Sequence, residues 1–463
     1  MNVLFVCIGP DHSYPVTVGA LSSYLKRSGH ATRLLDIVTV HPALNENELA
    51  LLEKELDTFK PRLVGFTVFE TGFHWVKQVC DFIKKKDPSI VTIAGGYYPT
   101  LTPEEVISCD SVDVVCVGEG ERALLELANA MDSGAETKNI SNLWVKENGE
   151  VFKNKVGPLI EDLDELPFWD RDMFDFQAQI NSSSKGDRNV KVMASRGCPY
   201  QCTYCSSRFF REMYSNKNKY LRMRSVGHLI DELVELKNNF DFDYVGFHDD
   251  NLTIFPEWLE EFSGRYKSDV GVRFYCAARP ETCTDKNLDF LKQAGCFMVL
   301  IGIECGDESY RKTEMKRKMS NKLILDVSRR IKERGMLLWT FNMVGMPGET
   351  RANVLKTALL NWRIGPDFAM TSIYYPFRGT EMGDKSYNEG LVNIKKKGLT
   401  GYFANDSILD HPNLTGFEMK IFKYLTIFSA IRSRSGYFHK DLLARAKRKL
   451  AFLSGGLIGG KQA

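Results

Sequence analysis

The chain has 463 residues, 43% hydrophobic and 26% charged, with a formal net charge of +2. That length holds two or three domains of ordinary globular composition, and the near-balanced charge gives no reason to expect nucleic acid or an anionic membrane as an obligate partner. Eleven unevenly spaced Cys do not form a secreted disulfide framework, and no apolar run reaches the roughly 18 residues of a bilayer span. The start, Met1-Asn2-Val3-Leu4-Phe5-Val6-Cys7, reads as a strand and not as a signal peptide, so the expected compartment is the reducing cytoplasm.

Within residues 1–135, apolar runs at 3–8, 32–37, 63–68, 91–94 and 112–117 predict buried strands. Helical patterns at 16–28, 46–58, 75–86 and 121–131 alternate with them. This order predicts a doubly wound parallel sheet, whose ligands bind beyond the carboxyl ends of the strands. Those ends carry Gly9-Pro10-Asp11-His12, Phe69-Glu70-Thr71-Gly72 and Gly95-Gly96-Tyr97-Tyr98-Pro99-Thr100. Paired glycines there would admit a flat, bulky ligand close to the backbone.

Residues 136–189 read as a linker, with a polar loop at 181–187. The alternation then resumes over 190–380. Strands are expected at 190–195, 244–248, 272–277, 297–303, 337–344 and 368–374, with helices at 226–238, 256–266, 286–294, 322–333 and 352–364. Chemistry on such β/α units gathers at the carboxyl ends of the strands. Residues 381–463 match no motif and read as a mainly helical cap. In it, 417–432 has helical apolar spacing, 440–452 alternates basic and apolar residues on what reads as a solvated face, and the glycine-rich 454–460 frays.

The chemical signal is Arg196-Gly197-Cys198-Pro199-Tyr200-Gln201-Cys202-Thr203-Tyr204-Cys205. Its C-x3-C-x2-C spacing puts three thiols around one corner of an iron–sulfur cube. Such a cube normally takes four Cys, and no fourth follows before Cys276, so one iron would keep an open position. Zinc would want four ligands in close pairs, which this stretch does not offer.

Cys198, Cys202 and Cys205, with Tyr204 before the last of them, resemble the signature of the radical S-adenosylmethionine (SAM) superfamily. That resemblance implies a [4Fe–4S] cluster whose open iron is chelated by SAM, and reductive cleavage of SAM to a 5′-deoxyadenosyl radical. It also implies a partial (β/α)6 TIM barrel, to which the six units correspond. Matched onto this chain, the SAM-binding candidates are Tyr204, Asp249 and Asp250 after the second strand, Arg279 after the third, Glu304 after the fourth, and Gly345 and Pro347 in Gly345-Met346-Pro347-Gly348-Glu349-Thr350 after the fifth.

The N-terminal pattern Gly95-Gly96-x-x-Pro99-Thr100, followed by Val117-Gly118-Glu119-Gly120-Glu121, resembles the Rossmann-like cobalamin-binding domain that precedes many radical SAM barrels. Cobalamin contacts are then expected at Pro10, Asp11, His12, Glu70, Thr71, Gly95, Gly96 and Tyr97. The chain lacks Asp-x-His-x-x-Gly, so a lower axial His ligand is not implied. The resemblance points to methyl transfer from methylcobalamin to an unactivated carbon. The alternatives are a cyclisation or rearrangement without net methylation, and a barrel whose N-terminal domain no longer binds cobalamin. It further implies a reductant such as flavodoxin or ferredoxin and a small-molecule or lipid-like substrate, with no nucleic-acid partner.

Overall fold

Strand–helix alternation builds two sheets, and the barrel sheet is left open. The structure, a computed structural model, describes residues 1–10, 16–181, 188–396 and 407–428. Asp11, His12, and the expected basic helix and frayed tail at the C-terminus lie outside the described residues.

The first sheet has the order β2-β1-β3-β4-β5-β6-β7. Strands β1 (Asn2–Gly9), β2 (Ala31–Val38), β3 (Leu63–Thr67), β4 (Val91–Gly95) and β5 (Val114–Cys116) run parallel. Helices Val16–Arg27, Glu46–Phe59 and Phe73–Lys86 connect the first four, two short helices (Tyr97–Leu101 and Pro103–Ile107) lead into β5, and Glu121–Ser133 leaves it. Two cores form, one on each face of the sheet, which is why β1 reads as a continuous apolar run with no alternation.

Two antiparallel strands, β6 (Leu143–Glu147) and β7 (Glu150–Lys153), extend this sheet from within the stretch read as a linker. They are joined by Asn148-Gly149, both at positive φ (52° and 82°), the backbone that a two-residue hairpin turn requires. Further along, the connection is clasped at both ends. Buried Asp170 accepts from Ser22 and pairs with Lys26 (2.7 Å) on the first helix. Arg171 pairs at 2.7 Å with buried Glu232 on the barrel helix Val226–Asn239.

The second sheet has the order β15-β14-β13-β12-β11-β8, all parallel. Its strands are β8 (Asn189–Val192), β11 (Tyr244–Phe247), β12 (Phe274–Ala278), β13 (Cys296–Glu304), β14 (Leu337–Val344) and β15 (Phe368–Ile373). Alternate residues such as Val190, Val245, Cys276, Val299 and Leu338 are buried under the outer helices. Their neighbours Lys191, Tyr275, Leu300 and Trp339 are half-buried and face the lumen. Between β8 and β11, a short ribbon pairs β9 (Ser195–Arg196) with β10 (Arg222–Met223). It carries the cysteine loop at its end.

Candidate cluster and cofactor site

The cysteine loop leaves β9 through Gly197, at φ +90°. A Cβ there would collide with the Tyr220 carbonyl oxygen and lie 2.9 Å from its carbon, so only glycine lets the loop pass this close. Buried Asp249 fixes the entry: it accepts from the backbone N of Ala194 (3.1 Å) and from the Ser195 hydroxyl. The far side is pinned to loops that follow β13 and β15. Thr203 donates to Met315 O (3.3 Å) and Glu314 O (2.6 Å), and its own carbonyl accepts from Met382 N (2.9 Å).

Cys202 is buried, while Cys198 and Cys205 are half-buried. Burial, and then the charge of Asp250, pushes the Cys198 thiol up to about 11 and the Cys205 thiol up to about 12. The protein alone therefore keeps these thiols protonated, and a bound metal centre would have to displace the protons. Among the described residues no three His, Cys, Asp or Glu side chains converge as ligands of a single ion. A cube makes a different demand, since each thiolate reaches its own iron and the sulfurs stay farther apart.

What converges on the cysteines is positive charge. Arg279 Nη1 donates to Cys202 Sγ at 3.4 Å, and Arg317 Nη1 reaches the same sulfur at 3.8 Å. Both side chains are buried, and the Nε of each has no partner among the described residues. Two buried guanidiniums with spare donors over one thiol are costly unless an anion completes the set. A thiolate-bound cluster and a carboxylate would do so.

Glu304 sits beside them. It ends β13 at φ +65°, a left-handed conformation that a Glu seldom adopts. Its carboxyl folds back over Gly302, where any Cβ would collide with it. Burial raises its pKa, opposed by the charge of Arg317 and a hydrogen bond from Tyr204. Arg317 also donates to Tyr204 OH (3.1 Å) and Gly302 O (2.5 Å), tying the cysteine loop to β13.

One strand over, Gly345 N (2.7 Å) and Met346 N (3.2 Å) donate to buried Glu349, and Tyr310 OH donates to Pro347 O (2.7 Å). Burial pushes the Glu349 carboxyl up to about 8 against those two hydrogen bonds. The folded state thus binds a proton that the unfolded chain gives up near its ordinary pKa. Stability should fall as pH rises from that ordinary value toward about 8. Glu349→Gln should flatten this slope in thermal melts across the range, and an unchanged slope would show that the group is ionised throughout.

Of the residues read from sequence, Tyr204, Arg279 and Glu304 meet at the cysteine loop, while Gly345 and Pro347 stand at the end of the neighbouring strand β14. Asp249 is occupied with the backbone of the loop entry, and Asp250 is exposed beside Cys198 and Cys205. Arg317 was missed. It lies in Lys316-Arg317-Lys318, which alone looks like a solvated basic run.

The carboxyl ends of the first sheet face the same loop. Gly96, at φ +96°, leaves no room for a Cβ, which would stand 2.9 Å from Thr67 Oγ1. Gly95, Gly96 and Tyr97 line a cavity of about 470 Å3 together with Gly118, Gly120 and Trp169, and its opposite wall is Met193, Ser195, Arg196 and Gly197. Tyr97 meets Phe69 (6.0 Å), Phe210 (5.5 Å) and Phe377 (5.2 Å), the last two from the barrel domain. Pro10 is exposed at the end of β1, and Glu70 and Thr71 form a single 3-10 turn after β3.

A second feature was not assigned from sequence. Glu119 takes two bonds from Arg222 (2.6 and 3.1 Å) and one from Arg196 (3.4 Å), while Arg196 also pairs with buried Glu121 (2.5 Å). Glu119 N donates nothing beyond its contact with Tyr214 OH (3.0 Å) among the described residues. This network joins the glycine loop of the first sheet to a residue two positions before Cys198.

Comparison with known proteins agrees with this geometry. The family model of the radical SAM superfamily matches residues 192–360, and that of the B12 binding domain matches residues 1–128. The chain belongs to the radical SAM superfamily, with a B12-binding domain ahead of its barrel. This radical SAM protein is 28% identical to an uncharacterized methyltransferase of Pyrococcus horikoshii, PH0819, over 82% of the chain and 79% of the relative. It is 26% identical to an anaerobic magnesium-protoporphyrin IX monomethyl ester cyclase of Rubrivivax gelatinosus, over 80% and 66%. Its fold matches that of TsrM, a radical SAM methyltransferase of Kitasatospora setae solved with cobalamin and a [4Fe–4S] cluster. The TM-score is 0.67 at 18% identity, covering 84% of this chain and 75% of that one.

The cofactors of the protein are a [4Fe–4S] cluster, SAM and cobalamin. The residues present fit them: three thiols beside two guanidiniums that each keep an unpartnered Nε, and glycine-walled space beyond the first sheet.

Proposed function

We propose that this protein is a cobalamin-dependent radical SAM methyltransferase acting on an unactivated carbon. One observation carries the reading: the cavity at the carboxyl ends of the first sheet has Arg196 and Gly197 as its far wall, so the two cofactor sites are adjacent. When bound, the cluster and SAM supply a hydrogen-abstracting oxidant, and cobalamin supplies a transferable methyl group.

The chain's own part is placement and shielding. Cys198, Cys202 and Cys205 hold the cluster, with Arg279 and Arg317 balancing negative charge beside Cys202. Glu304 and Tyr204 offer acceptors to the polar groups of SAM, Asp250 stands at the mouth for its ammonium, and the Gly345–Pro347 turn lies next to it. Gly95, Gly96 and Tyr97 face the corrin, as would Pro10, Glu70 and Thr71 at neighbouring strand ends. The lumen is floored by aromatic side chains, with Trp339 5.4 Å from Phe368 and 5.8 Å from Phe341. A small or lipid-like substrate suits such a surface. Reducing equivalents come from a flavodoxin or ferredoxin in the cytoplasm.

A second reading is a cyclisation without net methylation, because a cyclase is among relatives of similar identity. The two separate on product analysis of the reconstituted protein with SAM, hydroxocobalamin and a low-potential reductant. A methyltransferase forms S-adenosylhomocysteine as it recharges cobalamin, and 5′-deoxyadenosine as it abstracts hydrogen. Bound cobalt with 5′-deoxyadenosine alone would overturn the proposal in favour of the cyclase. No bound cobalt would leave a radical SAM enzyme without a methyl carrier.

A further inference from the structure

The whole-chain charge of +2 conceals a division. Residues 429–463 hold eight Lys or Arg against one Asp, a net +7 that leaves −5 for residues 1–428. On that acidic body two helices stand out. Arg351–Ile364 and Gly416–Phe428 pack against each other, and the second also covers β15, the edge strand of the barrel sheet. Together they hold Arg351, Lys356, Arg363, Lys420 and Lys423; Arg351 pairs with Glu418 (2.5 Å) and Lys356 with Asp307 (2.6 Å), which leaves the surface net positive.

Their outward faces are apolar. Leu359 and Trp362 on one helix, and Phe417, Ile421, Leu425 and Phe428 on the other, recur at helical spacing and are 42–72% exposed. Of the fourteen large hydrophobic residues exposed in the described chain, eight lie on these two helices, so they form a patch and not a scatter. The inward faces are already used: Val354 and Met419 share one small core with Val344 and Ile373.

We propose that this patch is a docking surface for an anionic phospholipid bilayer. Aromatic and aliphatic side chains flanked by Lys and Arg are the composition of helices that lie in a lipid interface. The basic residues 429–463, which follow directly from Phe428, add attraction to acidic headgroups. Charge decides against a second copy as the occupant, because an isologous contact would set two cationic faces against each other. Among the described residues no helix is long and apolar enough to cross a membrane, so the contact is peripheral.

The test is co-sedimentation of the full-length reconstituted enzyme with phosphatidylcholine vesicles, with and without phosphatidylglycerol. Binding should need phosphatidylglycerol and weaken as salt shortens the Debye length. The double variant Trp362→Ser, Phe417→Ser should lower partitioning by roughly tenfold or more, since two interfacial aromatic side chains are lost. Its iron content and SAM cleavage should be unchanged, because neither residue touches the cofactor site. Absence of binding to phosphatidylglycerol vesicles at low salt overturns the proposal. So does a double variant that binds as tightly as the parent, which would leave attraction to residues 429–463 alone. A variant that instead converts a dimer to a monomer, with vesicles ignored by both, would overturn it in favour of a second copy.

Discussion

A Gly197→Ala enzyme should fold and yet fail to hold its cluster. At φ +90°, any side chain costs of order 1 kcal/mol or more of backbone strain. That is the smaller part. The new Cβ would press on the backbone carbonyl of Tyr220, which is fixed by the start of the β9–β10 ribbon and cannot rotate away like a side chain. Relief requires the chain at Gly197 and Cys198 to move, which shifts one of three thiols that must fit a rigid cube. Iron and sulfide after anaerobic reconstitution should fall to background, and with them the absorbance near the visible edge and all SAM cleavage. Gly149→Ala is the control. It has a similar φ of +82° but nothing within 4 Å of the new Cβ, so strain without collision should leave iron content intact. Full iron in Gly197→Ala would show that the loop adapts and that the glycine does not set the cysteine geometry.

The second large effect is expected from Glu119→Gln. The Glu119 carboxylate is enclosed, and burial alone would raise its pKa. Hydrogen bonds from Arg222 and the charges of Arg196 and Arg222 overcome this and hold it below the ordinary carboxylate range. Removing the charge strands Arg222, whose side chain is only 5% exposed, and breaking a buried pair costs about 3–5 kcal/mol. Because Glu119 and Arg196 retain 19% and 25% exposure, the lower end of that range applies. The loss falls on the contact between domains, so calorimetry should resolve two unfolding transitions in the variant against a single one expected for the parent. The pH dependence gives an independent sign. A depressed pKa stabilises above the ordinary Glu value, and that stability disappears as pH falls through the folded value. The parent should therefore lose domain cooperativity on acidification, and Glu119→Gln should show little further change. A variant with a single unshifted transition would show that other contacts hold the domains.

Much of this architecture was legible in the sequence because its signals are local. The cysteine triplet is contiguous, and each barrel strand ends its apolar run within a residue or two of a polar or glycine-containing motif. The central strands of the first sheet, β1, β3, β4 and β5, were equally plain, being buried on both faces. The hairpin of β6 and β7 was overlooked although Asn148-Gly149 marks it, because its strands are short and its apolar residues few. Arg317 could not be found that way. Its meaning depends on Cys202, Tyr204 and Gly302, which are distant in the chain, and its immediate neighbours are lysines. Asp249 illustrates the converse. A carboxylate after a buried strand signals a partner, yet sequence does not reveal that the partner includes the backbone of Ala194.

The cavity beyond the first sheet has one further consequence. Its walls come from different domains, with Gly96 and Gly118 on one side and Arg196 and Gly197 on the other. Cobalt occupancy is then a gauge of docking as well as of affinity: whatever loosens the clasp at Asp170 or Glu119 also opens the vessel. Titrating cobalamin into variants of Asp170, which does not line the cavity, would measure how tightly the halves of the enzyme are shut.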